Sequence, residues 1–351
     1  MMGKTLKRAF GLIFSVCTAM YALPIQKKSV KSENIFNGSK AECVMELESR
    51  RILYAYNADS TLPMASTTKI LTAITAIENT PEEALKTAMP VPEEAVGIEG
   101  SSVYLKSGEI YSSEDLLYGL MLRSGNDCAV ALALRTAGNV ENFATMMNKT
   151  AQKAGAIQSC FLNPHGLPKK GHFTTARDLS IITCYALHNK KFAEIVSTKH
   201  YAAHGWENKN KMLRQYEGAI GVKTGYTVEA GRCLVSAATR NGMTLICTVL
   251  HCYETYARSA SLLDDAFKAY ENVKLIDKTT PFHFNVNGKN LSASTNEDVF
   301  YPLLPEEKGL IGKEIKPIEN PTYTEKKSKI VGEIKIYLGN QLLFSKKLYK
   351  L

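Results

Sequence analysis

The first half of the chain alternates short β-like runs with longer apolar stretches at helical spacing. Residues 41–57 predict two short strands about a tight turn, and the apolar run that begins at Ile70 predicts a buried helix. Ser112 and the acidic residues after it predict the start of another helix, which should end just before Ser124. A further helix is expected directly after that point.

A hairpin is the clearest local signal in the second half of the chain. Two β-rich runs, 232–240 and 243–250, flank Asn241-Gly242, a dipeptide typical of two-residue hairpin turns. Strands are therefore predicted at both ends of this region, with alanine-rich helices between them. We expect an α+β fold in which an antiparallel sheet is packed with helices.

The pattern changes near residue 272, where a closing helix gives way to short runs of alternating polar and apolar residues. Such runs predict strands, and we expect a small all-β C-terminal domain without a cluster of catalytic residue types. The predicted divisions are a leader at 1–22, an α+β domain at 23–272 and a β-rich domain at 273–351.

The N-terminus has the anatomy of a signal peptide. A basic head is followed by an apolar stretch and by small residues that suit cleavage after Ala19 or Ala22. The apolar stretch has about 14 residues, whereas a membrane-spanning helix needs roughly 20. We therefore expect export, to the outer face of the cytoplasmic membrane, to the cell wall or into the medium.

The net charge of +9 suits an anionic envelope. The basic residues are scattered along the chain rather than gathered in a stripe with interleaved aromatic residues, so nucleic acid is not an expected partner.

The eight cysteines include no C-x-x-C pair, and removing the leader leaves an odd number. Buried free thiols are therefore expected. No histidine has a metal-ligand partner at standard spacing, and no metal or cofactor is predicted.

Three short motifs carry the candidate chemistry. In a helix, Ser66 and Lys69 lie one turn apart on the same face, so the amine could activate the hydroxyl. Taken alone, this pair could equally be a helix cap and a solvated lysine. The sequences Ser-Gly-Asn at 124–126 and Lys-Thr-Gly at 223–225 follow in order. A lysine becomes a base when burial or a second cation lowers its pKa, and Lys223 could supply that cation.

Together the motifs resemble the signature of penicillin-binding proteins and class A β-lactamases, with Gly125 where that signature has aspartate. More narrowly, the chain is similar to the D-alanyl-D-alanine carboxypeptidases of serine peptidase family S11, the low-molecular-mass penicillin-binding proteins. The segments 163–167 and 171–179 also agree with that family, and the match runs over about 35–272. The resemblance implies a β-lactamase/transpeptidase-like domain.

The resemblance also implies the reaction. The enzyme would remove the terminal D-alanine from peptidoglycan stem peptides that end in D-Ala-D-Ala, and β-lactam antibiotics would inhibit it covalently. Ser66 would form the acyl-enzyme after Lys69 takes its proton. Ser124 and Lys223 would relay a proton to the leaving amine. Asn126 would hold the amide on the acyl side of the substrate.

The remaining implied residues bind the substrate. The backbone N–H groups of Ser66 and Tyr226 would form the oxyanion hole, while Thr224 and an arginine would bind the terminal carboxylate. The substrate-binding residues implied by the resemblance are Asn126, Lys223, Thr224, Gly225, Tyr226, Arg258 and Arg177.

Two other functions are open at this point. In a β-lactamase of class A, a glutamate in E-x-x-L-N drives deacylation, but this chain has Ser159 at that place in S-C-F-L-N. A non-catalytic peptidoglycan-binding protein would be expected to have lost a motif residue, and none is lost. The chain stops in a strand-like run, 342–351, so we expect peripheral membrane or wall association rather than a C-terminal amphipathic anchor.

Overall fold

A computed structural model describes residues 38–286, 288–318 and 330–351. The predicted leader lies outside these residues. The strands, numbered along the chain, are β1 Ala41–Glu46, β2 Ile52–Tyr56, β3 Ala88–Pro90, β4 Ile110–Ser112, β5 His200–Tyr201, β6 Trp206–Glu207, β7 Ala219–Thr227, β8 Gly231–Arg240, β9 Met243–Leu250, β10 Glu271–Ile276, β11 Phe282–Val286, β12 Lys289–Ser294, β13 Val299–Leu303, β14 Ile311–Pro317, β15 Ile330–Leu338 and β16 Gln341–Lys350.

Most of the α-helices lie between β2 and β7, as the alanine-rich apolar patterns predict. They are α1 Lys69–Glu78, α2 Glu82–Leu85, α3 Ser113–Tyr118, α4 Asn126–Ala137, α5 Val140–Ala154, α6 Ala176–Leu187, α7 Lys190–Ser197, α8 Met212–Gln215 and α9 Thr255–Ala269. Helix α3 begins with a capping box, in which Ser112 and Asp115 each bond the other's backbone N–H. It continues as one π-helical turn, Gly119–Arg123, which the sequence did not predict.

The main sheet is antiparallel, in the order β2-β1-β9-β8-β7. Strands from both ends of the region therefore meet, and the hairpin at Asn241-Gly242 joins β8 to β9 as predicted. One face packs against α1, α6 and α7, and the other against α9. Because both faces are covered, every residue of β1 is buried.

The C-terminal strands form a second hydrophobic core of their own. A five-stranded sheet, in the order β11-β12-β16-β15-β14, lies beside the β10–β13 pair. Arg51 of the first part bonds to the Pro302 carbonyl and to both carboxylate oxygens of Glu307, between the rings of Tyr270 and Tyr301. This arginine therefore ties the two parts together. The predicted boundary after residue 272 falls inside β10 and stays a prediction.

None of the helices formed by residues in the described ranges is long and apolar enough to cross a membrane. The seven cysteines in these ranges are free, and all but Cys160 are buried. Burial raises the pKa of several of these thiols, for example that of Cys43 to about 11. They therefore pack as small hydrophobic side chains.

Candidate active site

Ser66 and Lys69 meet at the start of the buried helix α1. A single 3-10 turn, Ala65–Thr68, leads directly into that helix. The Lys69 Nζ atom lies 2.9 Å from the Ser66 Oγ atom, and the lysine side chain is completely buried. The helical spacing of this serine and lysine thus gives the contact expected from the sequence.

The other two contacts of Lys69 are compatible with a neutral amine. Nζ lies 2.6 Å from the Asn126 Oδ1 atom and 2.7 Å from the His165 carbonyl, and both oxygens can only accept a hydrogen bond. A neutral amine has two N–H groups and one lone pair. With both N–H groups engaged in this way, a neutral amine would leave its lone pair for the proton of the Ser66 hydroxyl, as a general base requires.

The electrostatic setting favours that neutral form. Burial lowers the pKa of Lys69 well below its ordinary value, and the charge of Lys223 lowers it further. Burial, assisted by the charge of Lys209, lowers the pKa of Lys223 to about 7. Among the described residues, neither Lys69 nor Lys223 forms an ion pair with a carboxylate.

The Ser-Gly-Asn motif, 124–126, faces the Lys-Thr-Gly motif, 223–225, across the site. Ser124 follows the π-helical turn with φ of 65°, a left-handed conformation, and only 7% of it is exposed. The Lys223 Nζ atom, on edge strand β7, lies 3.1 Å from the Ser124 Oγ atom. Asn126 begins α4, and its backbone N–H donates to the Ser101 carbonyl at 2.7 Å. The structure thus brings Ser66, Lys69, Ser124, Asn126 and Lys223 together.

Two glycines allow other backbone segments to approach the serine closely. A Cβ atom at Gly225 of β7 would lie 3.0 Å from the Met64 carbonyl and 3.1 Å from the Ser66 N atom. A Cβ atom at Gly166 would lie 1.9 Å from the Ala65 carbonyl oxygen. Ala65 itself has φ of 50°, a conformation that is uncommon for residues other than glycine. The backbone before Ser66 is therefore held from two sides.

The structure places each of the two predicted arginines in an ion pair. Arg258 lies on α9, on the face of the sheet opposite α1, and donates to both carboxylate oxygens of Glu42 at 2.7 Å. Arg177 forms an ion pair with Asp59 at the surface. Neither guanidinium bonds to the Ser66 cluster, because each is already paired elsewhere.

Lys209 is a cation that sequence reasoning missed. It is exposed, and its charge contributes to lowering the pKa values of both Lys69 and Lys223. Its backbone N–H donates to the Leu122 carbonyl, which ties it to the π-helical turn before Ser124. A lone lysine between asparagines carries no motif, so only the fold reveals this position.

The other predicted binding residues lie along β7. Thr224 is half-buried, and Tyr226 is 64% exposed. Among the strands of the described residues, β8 is the only one that pairs with β7, so the other edge of β7 can accept an extended peptide. Within the described ranges, no group of three His, Cys, Asp or Glu side chains could hold a metal ion.

Comparison with known proteins gives the family. The family model for D-alanyl-D-alanine carboxypeptidases, peptidase S11, matches residues 27–253. The chain belongs to this family. The carboxypeptidase DacF of Bacillus subtilis is 31% identical over 253 residues, which cover 69% of this chain and 65% of that protein. The chain thus spans less than two thirds of that relative's length.

Two further comparisons agree with this family. A D-alanyl-D-alanine carboxypeptidase of Streptomyces sp. strain K15 is 37% identical over 219 residues, covering 56% of this chain and 75% of that protein. Penicillin binding protein 5 from Haemophilus influenzae superposes with a TM-score of 0.73 at 25% identity, over 90% of this chain and 96% of that one. The predicted α+β class, with an all-β domain after the transpeptidase-like domain, is confirmed.

Proposed function

We propose that this S11 protein is a serine-type D-Ala-D-Ala carboxypeptidase that removes the terminal D-alanine from peptidoglycan stem peptides. The arrangement around Lys69 carries the proposal: a buried amine with two acceptors and one serine hydroxyl within 2.9 Å. A buried lysine with a lowered pKa is able to deprotonate serine at neutral pH. Family membership and the intact motifs support the same reaction.

In the first step, the Ser66 hydroxyl attacks the carbonyl of the penultimate D-alanine, and its proton passes to Lys69. The oxyanion is bound by the backbone N–H groups of Ser66 and Tyr226. Ser124, bonded to Lys223 at 3.1 Å, passes its proton to the departing amine of the terminal D-alanine and takes up in its place the proton held by Lys69, so that Lys69 is a neutral amine again. The peptide C–N bond breaks and the acyl-enzyme remains.

In the second step, water attacks the ester carbonyl, and Lys69 accepts the proton of that water. Lys69 returns that proton to the Ser66 oxygen as the ester C–O bond breaks, and the shortened peptide leaves with a new carboxylate. Ser159 has its hydroxyl bonded to Asp178 and Thr174, and a serine is not a base for deacylation. This supports a carboxypeptidase that is inhibited by penicillin rather than a β-lactamase that destroys it.

Lys209 is the cation we assign to the terminal carboxylate of the substrate, in place of the two arginines. The residue is exposed, and its charge contributes to lowering the pKa of Lys223. Thr224, the next residue along β7, offers a hydroxyl on the same strand. A carboxylate bound here would lie beside two cations, which favours substrates with a free C-terminus.

We also propose that the protein is exported and acts in peptidoglycan biosynthesis and remodelling, in peripheral association with the membrane or wall. The signal-like leader and the net charge of +9 support this placement. Fractionation of cells that express the full chain tests it. Recovery of the protein in the cytosol with its leader intact would contradict it.

Mass spectrometry with benzylpenicillin tests the reaction, using wild type and Ser66→Ala. We expect an adduct on Ser66 that persists, and release of D-alanine from a peptide ending in D-Ala-D-Ala that depends on Ser66. An adduct that disappears quickly without D-alanine release would instead indicate a β-lactamase. Wild-type protein with neither adduct nor release would indicate a non-catalytic wall-binding protein.

A further inference from the structure

A buried chain of hydrogen bonds leads from a histidine to the backbone before the nucleophile. The backbone N–H of Leu162 donates to the His172 Nδ1 atom at 2.9 Å. Because Nδ1 accepts, a neutral imidazole carries its proton on Nε2, which lies 3.1 Å from the Thr68 Oγ1 atom. The Thr68 hydroxyl in turn donates to the Ala65 carbonyl at 2.8 Å. In this series of hydrogen bonds, each donor group has one acceptor.

The groups in this chain are shielded from water. Thr68 is completely buried and His172 is 6% exposed. Burial lowers the pKa of His172 to about 4, so the ring is neutral near pH 7. The Thr68 hydroxyl therefore accepts a hydrogen bond from His172 Nε2–H and donates its own proton to the Ala65 carbonyl. Removal of either side chain would leave a buried polar group without its partner.

The carbonyl at the end of the chain belongs to the peptide group that contains the Ser66 N–H. Ala65 has φ of 50°, and the orientation of this carbonyl sets the orientation of that N–H, because the peptide group is planar. Gly166 approaches the same carbonyl so closely that no side chain would fit between them. Rotation of the peptide would thus misdirect both the serine and an oxyanion-hole donor.

We propose that Thr68 and His172 are positioning residues that hold the Ala65–Ser66 peptide in its reactive orientation. This inference rests on the proposed function, since it concerns formation of the acyl-enzyme on Ser66. Neither side chain touches the reacting atoms. The hydrogen-bonded path from them to Ser66 runs through the Ala65 carbonyl.

The test is the rate of acylation of the full chain by benzylpenicillin, separated into initial binding and the acylation step. Thr68→Val keeps the side-chain shape and loses the hydroxyl, while His172→Phe keeps a planar ring and loses both nitrogens. We expect each variant to slow the acylation step by about 10- to 100-fold, with initial binding unchanged, because a small misplacement of the serine is sufficient for such a loss.

Three comparisons separate positioning from general damage. Thr68→Ser keeps the hydroxyl and should acylate at close to the wild-type rate. The double variant of Thr68→Val and His172→Phe should be no slower than the slower single variant, because both break one chain. The control is Thr248→Val, which removes a buried hydroxyl bonded to Ser180 at 2.8 Å, between β9 and α6. It should lower the melting temperature without slowing acylation.

The inference is overturned if Thr68→Val and His172→Phe both acylate at the wild-type rate, or if their losses multiply in the double variant. It is also overturned if Thr248→Val slows acylation as much as they do. These results would leave the proposed function intact, because wild type would still form its adduct. Failure of wild type to form an adduct would overturn the proposed function and this inference with it.

Discussion

The buried Glu42–Arg258 pair gives a direct test of whether Arg258 is structural. Glu42 is completely buried and Arg258 is 8% exposed, and the two guanidinium bonds measure 2.7 Å each. Arg258→Met leaves the Glu42 carboxylate in the interior without its counter-ion. Breaking such a pair costs about 3–5 kcal/mol, which corresponds to roughly two to four powers of ten in the unfolding equilibrium constant.

Urea unfolding, followed by the fluorescence of Trp206, the single tryptophan, measures this loss. We expect Arg258→Met to lose that stability while the KM for a peptide ending in D-Ala-D-Ala stays at the wild-type value. Adding Glu42→Leu should restore most of the stability, because the unpaired charge is then gone. A variant of Arg258 with normal stability and a raised KM would refute the structural role and return this arginine to the substrate site.

Two further predictions concern the site itself. Lys209→Gln should raise the KM for peptides with a free carboxylate but not for their methyl esters. Removing this cation lets the pKa of Lys69 rise, so the acid limb of the pH profile of the acylation rate should move to higher pH. An unchanged pH profile would contradict the electrostatic coupling between Lys209 and Lys69. Gly166→Ala should abolish acylation, because its Cβ would lie 1.9 Å from the Ala65 carbonyl oxygen. The control is Gly97→Ala, which has a similar φ of +73° but lies in open space and should acylate normally. Equal losses of acylation in both variants would show that backbone strain alone is responsible.

The sequence predicts most of what depends on neighbours along the chain. The one-turn spacing of Ser66 and Lys69 becomes a contact of 2.9 Å. The cap at Ser112 and the hairpin turn at Asn241-Gly242 lie where the local signals indicate. Each of these features is decided by residues within a few positions, so periodicity and turn chemistry are sufficient to find it.

Pairs that are distant in sequence are not predictable in this way. Arg258 and Glu42 lie 216 positions apart, and without an alignment nothing in the chain links them. The resemblance suggested a substrate role for this arginine, and only the packing of α9 against the sheet reveals its partner. Lys209 was missed for the converse reason, since its neighbours give no signal and its position near Lys69 depends on the whole fold.

The two buried lysines have a consequence for how the molecule could be engineered. Lys69 is completely buried and Lys223 is 2% exposed, and burial penalises the charged form of each. Replacement of such a side chain by one of similar shape without charge is a familiar source of extra stability at active sites. Selection for heat resistance alone would therefore favour loss of these amines, and with them the reaction, so any programme of stabilisation must hold both lysines fixed.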